Sequence, residues 1–199
     1  MTSRVAAALV AGAIAIAGCA NDGRELRDPV ADPPAANGAD QPAAGSETES
    51  TRGEFVFSAP AFADGGPIPV ANTCDGEDLS PELTWSGVPF GAAELAIVVS
   101  DPEADFFTHW VITGLSPDST GIAAGEVPRG AVESRNTFGT VGWAGPCPPA
   151  NHTYLFSLHL LPEPLGMAPD LDADVAVGLI ESATIQAIST TGTYGPAGG

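Results

Sequence analysis

Short runs rich in branched, aromatic and aliphatic residues recur along the chain between clusters of Gly, Pro, Asp and Ser, at residues 54–58, 82–86, 94–100, 107–115 and 153–161. Runs of this length between turn-forming residues predict strands, and their regular spacing predicts a mostly β domain built as a β-sandwich. Residues 95–99 and 109–112 are apolar at odd and even positions alike, the pattern of central strands covered on both faces. Along the run at 153–161, strand alternation puts His152, Tyr154, Phe156 and Leu158 on one face and sends His159 to the other, with Leu155 and Leu161. One segment differs. Residues 172–186 set Val175, Leu179 and Ala183 at four-residue spacing behind acidic residues that suit a helix start, which predicts a single C-terminal helix. Residues 188–194 return to a Thr-rich strand composition.

The apolar run at the beginning of the chain is of another kind. Arg4 precedes residues 5–17, a stretch too short to span a bilayer as a mature helix, and it ends in Ile16-Ala17-Gly18-Cys19. This resembles the signal peptide and lipobox of bacterial lipoprotein precursors. Residues 1–18 are then a signal peptide, and Cys19 becomes the acylated mature N-terminus. Residues 19–52 carry Ala, Pro, Gly, Asp, Glu, Ser and Thr with almost no branched or aromatic side chains, too little apolar surface to offset the entropy of ordering. They are expected to be a disordered tether, leaving residues 53–199 as one domain with one core. The expected location is the bacterial cell envelope, facing outside the cytoplasm, with the lipid as the only membrane attachment.

Charge narrows the partners. With 25 acidic against 6 basic residues and a formal net charge of -19, nucleic-acid binding through phosphate neutralisation is not expected. Once Cys19 is acylated, Cys74 and Cys147 remain as an even pair in an oxidising compartment, either a disulfide or two free thiols. Neither lies in a Cys-x-x-Cys pattern, so no zinc ribbon is expected, and no cofactor is implied.

Candidate chemistry gathers in three stretches: Cys74-Asp75-Gly76-Glu77-Asp78 running on to Trp85, Asp101-Pro102-Glu103-Ala104 followed by Thr108-His109-Trp110, and Gly145-Pro146-Cys147-Pro148-Pro149 leading to His152-Thr153-Tyr154. Together and in this order they resemble the bacterial branch of the phosphatidylethanolamine-binding protein family, also called Raf kinase inhibitor-like proteins. Thr191-Gly192-Thr193-Tyr194-Gly195 is similar to that branch as well, so the resemblance spans about Phe55 to Gly195. It implies a β-rich fold with a C-terminal helix and a small surface pocket for phosphate-like or other anionic groups. Residue by residue, it implies Asp101, His109, His152 and Tyr154 as pocket residues, with Pro146 and Pro148 at the rim. The chain also departs from the family pattern. Thr153 stands where the family has Arg, removing one cation; Asn151 stands for a Gly; Trp143-Ala144 stands for Tyr-Gly; and Glu103 and Asp105 add carboxylates.

Two function classes remain open. In the first, a non-catalytic module recognises a small anionic or phosphorylated ligand, or the phosphate of a protein partner, since imidazole and phenol can donate to an oxyanion while an aspartate fixes a tautomer. In the second, two His and an Asp hold a divalent ion for hydrolysis. The chain has no Gly-x-Ser-x-Gly elbow, no His-Glu-x-x-His and no phosphate-cradling glycine loop, which favours binding.

Overall fold

A computed structural model describes residues 53–196. Its elements in chain order are β1 (Val56–Ser58), β2 (Gly66–Pro67), β3 (Leu83–Ser86), β4 (Glu94–Asp101), β5 (Phe107–Leu115), β6 (Gly121–Ile122), β7 (Val132–Glu133), β8 (His152–Leu161), α1 (Ala173–Ala183) and β9 (Gln186–Tyr194). The signal peptide, Cys19 and the tether lie outside the described residues. Among the described residues no helix is long and apolar enough to cross a membrane.

The strands form a sheet of order β1-β3-β6 and a larger one of order β2-β9-β8-β4-β5-β7. The larger sheet is antiparallel except where β2 runs parallel to β9. β4 is buried along its whole length, and the apolar run at 95–99 within it is covered on both faces, as the sequence predicts. One face carries Leu95, Ile97 and Val99, which pack with Trp110, Ile112, Phe156 and Leu158 against Phe57, Leu83 and Trp85 of the small sheet. The other face carries Ala96 and Val98, which pack with Val111 and Leu161 beneath Ala176 and Ile180 of α1. Thus α1 covers part of the outer face of the larger sheet.

The helix departs from its expected bounds and face. It ends at Ala183, where Thr184 turns its hydroxyl back to the Ile180 carbonyl at 2.7 Å, and Gln186 already belongs to β9. The buried stripe is Ala173, Ala176 and Ile180, while Val175 and Leu179 are exposed. Four-residue spacing occurs on more than one side of this helix; the side with alanines lies closest to the sheet because small side chains permit it.

Candidate functional site

The ends of β4, β5 and β8 bring the sequence candidates to one place. Asp101 closes β4, 3% exposed, and its Oδ1 accepts the Ala104 N–H at 3.1 Å, capping the short 3-10 turn at Pro102–Ala104. Its Oδ2 accepts the Nδ1–H of His152, at the start of β8, at 2.7 Å. His109, buried on β5, donates its Nδ1–H to the carbonyl of Ala144 at 2.6 Å, and the Ala144 N–H returns to the His109 carbonyl at 3.0 Å. The substitution of Ala144 for the family's glycine leaves this contact intact because it runs through the backbone.

These bonds set the state of the rings. A carbonyl or carboxylate oxygen only accepts, so each imidazole carries a proton on Nδ1, and Nε2 is its uncommitted nitrogen. Burial, the dominant influence, holds His109 below the ordinary histidine range, against the opposing effects of the Ala144 carbonyl and the Asp101 and Asp78 charges. Tyr154, with its ring edge-on to His109 at 5.2 Å, has its hydroxyl pushed well above the ordinary phenol range by burial and by the Asp101 carboxylate. It therefore stays protonated.

Around these groups is a cavity of about 140 Å³, lined by Asp101, His109, His152 and Tyr154 together with Phe107, Phe138 and Pro148. It is a small recess, with space for a few water molecules. Pro148 is among the lining residues. Pro146 does not line the cavity: it is buried, and its carbonyl accepts the Cys74 N–H at 3.2 Å. Cys147 and Pro149 line the wall instead, and Cys147 is joined to Cys74 in a disulfide with Cα atoms 5.5 Å apart. Thr153, which replaces the family's arginine, alternates to the other face of β8 and is not among the lining residues. Of the six basic residues of the chain only Arg129 and Arg135 fall among the described residues, and neither lines the cavity.

Three contributors were not named as pocket residues from the sequence, although one of them, Asp78, lies in the first candidate stretch. Phe107 and Phe138 stack edge to face at 4.6 Å to form an apolar wall, and no local signal in the 130–140 loop announces it. Asp78, held at a positive φ of 55°, accepts the Gly145 N–H at 2.6 Å and so ties the loop after Trp143 in place. A Cβ at Gly145 would lie 2.5 Å from that carboxylate oxygen and 2.7 Å from the Asn72 carbonyl, which explains the glycine there. Among the described residues, no group of three or more His, Cys, Asp or Glu is arranged to hold a metal ion.

Comparison with known proteins bears on the family and the fold. The profile described as phosphatidylethanolamine-binding protein matches residues 58–195. The Mycobacterium tuberculosis protein named "Putative lipoprotein LppC" is 37% identical over 195 residues, covering 96% of this chain and 94% of that protein. A UPF0098 protein of Methanothermobacter thermautotrophicus is 41% identical over 142 residues, covering 67% of this chain and 94% of its own. Among solved structures, a phosphatidylethanolamine-binding protein homolog of Chlamydia trachomatis, CT736, superposes with a TM-score of 0.65 at 32% identity, covering 70% of this chain and 96% of that one. Escherichia coli YbcL, described as a member of the mammalian PEBP family, superposes with a TM-score of 0.68 at 26% identity, covering 72% and 99%. Fold, motif order and sequence identity over the whole described domain lead to one conclusion: the chain belongs to the phosphatidylethanolamine-binding protein family.

Proposed function

We propose that this chain is an exported, membrane-anchored binding protein that takes a small anionic group of phosphate type in the cavity between Asp101, His109, His152 and Tyr154, without chemistry of its own. The observation that carries this reading is the way both imidazoles are tied back by Nδ1, to Ala144 and to Asp101, so that Nε2 of each remains for a ligand in a largely apolar recess. Among the described residues no arginine or lysine lines the recess, so a bound anion needs a proton. With His109 held neutral by burial, Nε2 is an acceptor; an anion beside it favours the protonated ring, which donates. Binding therefore takes up a proton, and affinity rises as pH falls, by about tenfold per pH unit where one proton is taken up. Titrating phenyl phosphate into the chain carrying Cys19→Ser between pH 8 and pH 6 is expected to show this slope, and His109→Ala or His152→Ala is expected to remove binding. Unchanged affinity in both folded variants would overturn the pocket.

The anchoring half of the proposal rests on the lipobox and on the similarity to a relative named a lipoprotein over 96% of this chain. Wild-type protein is expected in the washed membrane fraction and mature Cys19→Ser protein, without residues 1–18, outside it, because stable anchoring needs the acyl chains. Retention of the variant on washed membranes would assign the attachment to another part of the protein.

A further inference from the structure

A second concavity lies on the opposite face of the larger sheet, between α1 and the turn that precedes β5. It is a groove of about 740 Å³, within the range of drug-sized ligand sites. Its walls are apolar where Val98, Leu155 and Val177 meet. Asp105, Asp174 and Glu181 also line it, and neither Arg129 nor Arg135 does, so its charge is of one sign.

Four observations in addition to this acidity point to a ligand. Ser100, 8% exposed, lines the groove, and its hydroxyl has no hydrogen-bond partner among the described residues, which leaves it for a ligand in the groove. His159 donates Nδ1–H to Thr184 Oγ1 at 3.0 Å, since that hydroxyl spends its own proton on the Ile180 carbonyl at 2.7 Å. Burial holds the ring below the ordinary histidine range, so Nε2 is an unprotonated acceptor. At the mouth, Asp105 and Phe106 both adopt positive φ, 58° and 56°, a conformation bulky residues avoid, and Phe106 is 66% exposed. Finally, Gly178 sits inside α1, a position glycine disfavours, yet a Cβ there would meet nothing within 4 Å. Packing does not require this glycine; its effect is to leave the groove open.

We propose that this groove binds an organic cation with an apolar body, a protonated amphiphilic amine, at a site separate from the anion pocket. The apolar walls cover the body; the ammonium sits among the carboxylates near the Phe106 ring, whose face attracts cations, and donates to the inward acceptors Ser100 Oγ and His159 Nε2. A carboxylate of the same chain length meets acceptors and like charge, and is rejected.

Calorimetric titration of the full chain carrying Cys19→Ser, without detergent, with decylammonium below its micelle concentration tests this. One decylammonium per chain is expected, with decanoate at least tenfold weaker. Gly178→Trp, which places a ring in open space and so leaves the fold intact, is expected to abolish binding. Asp174→Asn with Glu181→Gln is expected to weaken it tenfold or more. His152→Ala is expected to leave it unchanged, which separates this site from the anion pocket. Equal binding of decanoate, binding that survives Gly178→Trp, or no binding of decylammonium would overturn the proposal.

Discussion

Replacing Cys74 and Cys147 together with serine is expected to lower the free energy of unfolding by about 4 kcal/mol, the chain-entropy value for a loop closed across a separation of 73 residues. For a domain of this size that corresponds to a fall in midpoint temperature of about 10 °C or more. The bond joins the acidic turn after Thr73 to the loop that walls the anion cavity, and Cys147 itself lines that cavity. Other ties span the same gap: Gly145 N–H to Asp78 Oδ1 at 2.6 Å and Cys74 N–H to the Pro146 carbonyl at 3.2 Å. Tyr194 adds a third by donating its hydroxyl to Asp75 Oδ2 at 2.6 Å, which fixes the turn to β9. These bonds survive the substitution in the native state, so the fold is expected to persist while the wall loosens and phenyl phosphate binds more weakly. Urea unfolding of the variant and wild type, read beside a phosphate titration of each, checks both parts. A stability loss under about 1 kcal/mol would mean that the hydrogen bonds alone fix the two loops and that the unfolded chain gains little freedom.

What the sequence disclosed follows the reach of each signal. Period-two alternation is local, so the shared face of His152, Tyr154, Phe156 and Leu158 was legible, as was the exclusion of His159 to the face now seen beneath α1. The unbroken apolar run in β4 was legible as a central strand for the same reason. The two-residue strands β2, β6 and β7 were not, because pairs such as Gly66-Pro67 carry no pattern and owe their state to partners far along the chain. The helix stripe was misplaced because the sequence offers apolar spacing on two sides, and only the sheet chooses between them. At the site, Asp101, His109, Pro148, His152 and Tyr154 were named from motif order, and the structure places them around one cavity. Pro146 was named with them and lies behind the wall. Its neighbour Gly145 carries a spatial reason that no motif states, a backbone that passes too close to Asp78 and Asn72 for any side chain. The tautomers were also beyond the sequence, since they depend on contacts across 51 and 35 residues.

Asp101→Ala is expected to cost about 3 kcal/mol, because one buried carboxylate serves two donors, the Ala104 N–H and His152 Nδ1–H. Asp101→Asn separates shape from charge. The amide keeps the size of the side chain but has one oxygen, which the Ala104 N–H claims by geometry at 3.1 Å. Its NH₂ then faces His152, and two donors cannot bond, so His152 is expected to move its proton to Nε2 and accept at Nδ1. The imidazole of this variant presents a donor to the cavity without taking up a proton, and the rise in phosphate affinity with falling pH is expected to be shallower than in wild type. Long-range ¹H–¹⁵N NMR of the His152 ring reads the tautomer directly, with wild-type protein protonated on Nδ1 and Asp101→Asn protonated on Nε2. A ring that keeps its proton on Nδ1 in the Asn variant would show that Asp101 does not set the state of His152.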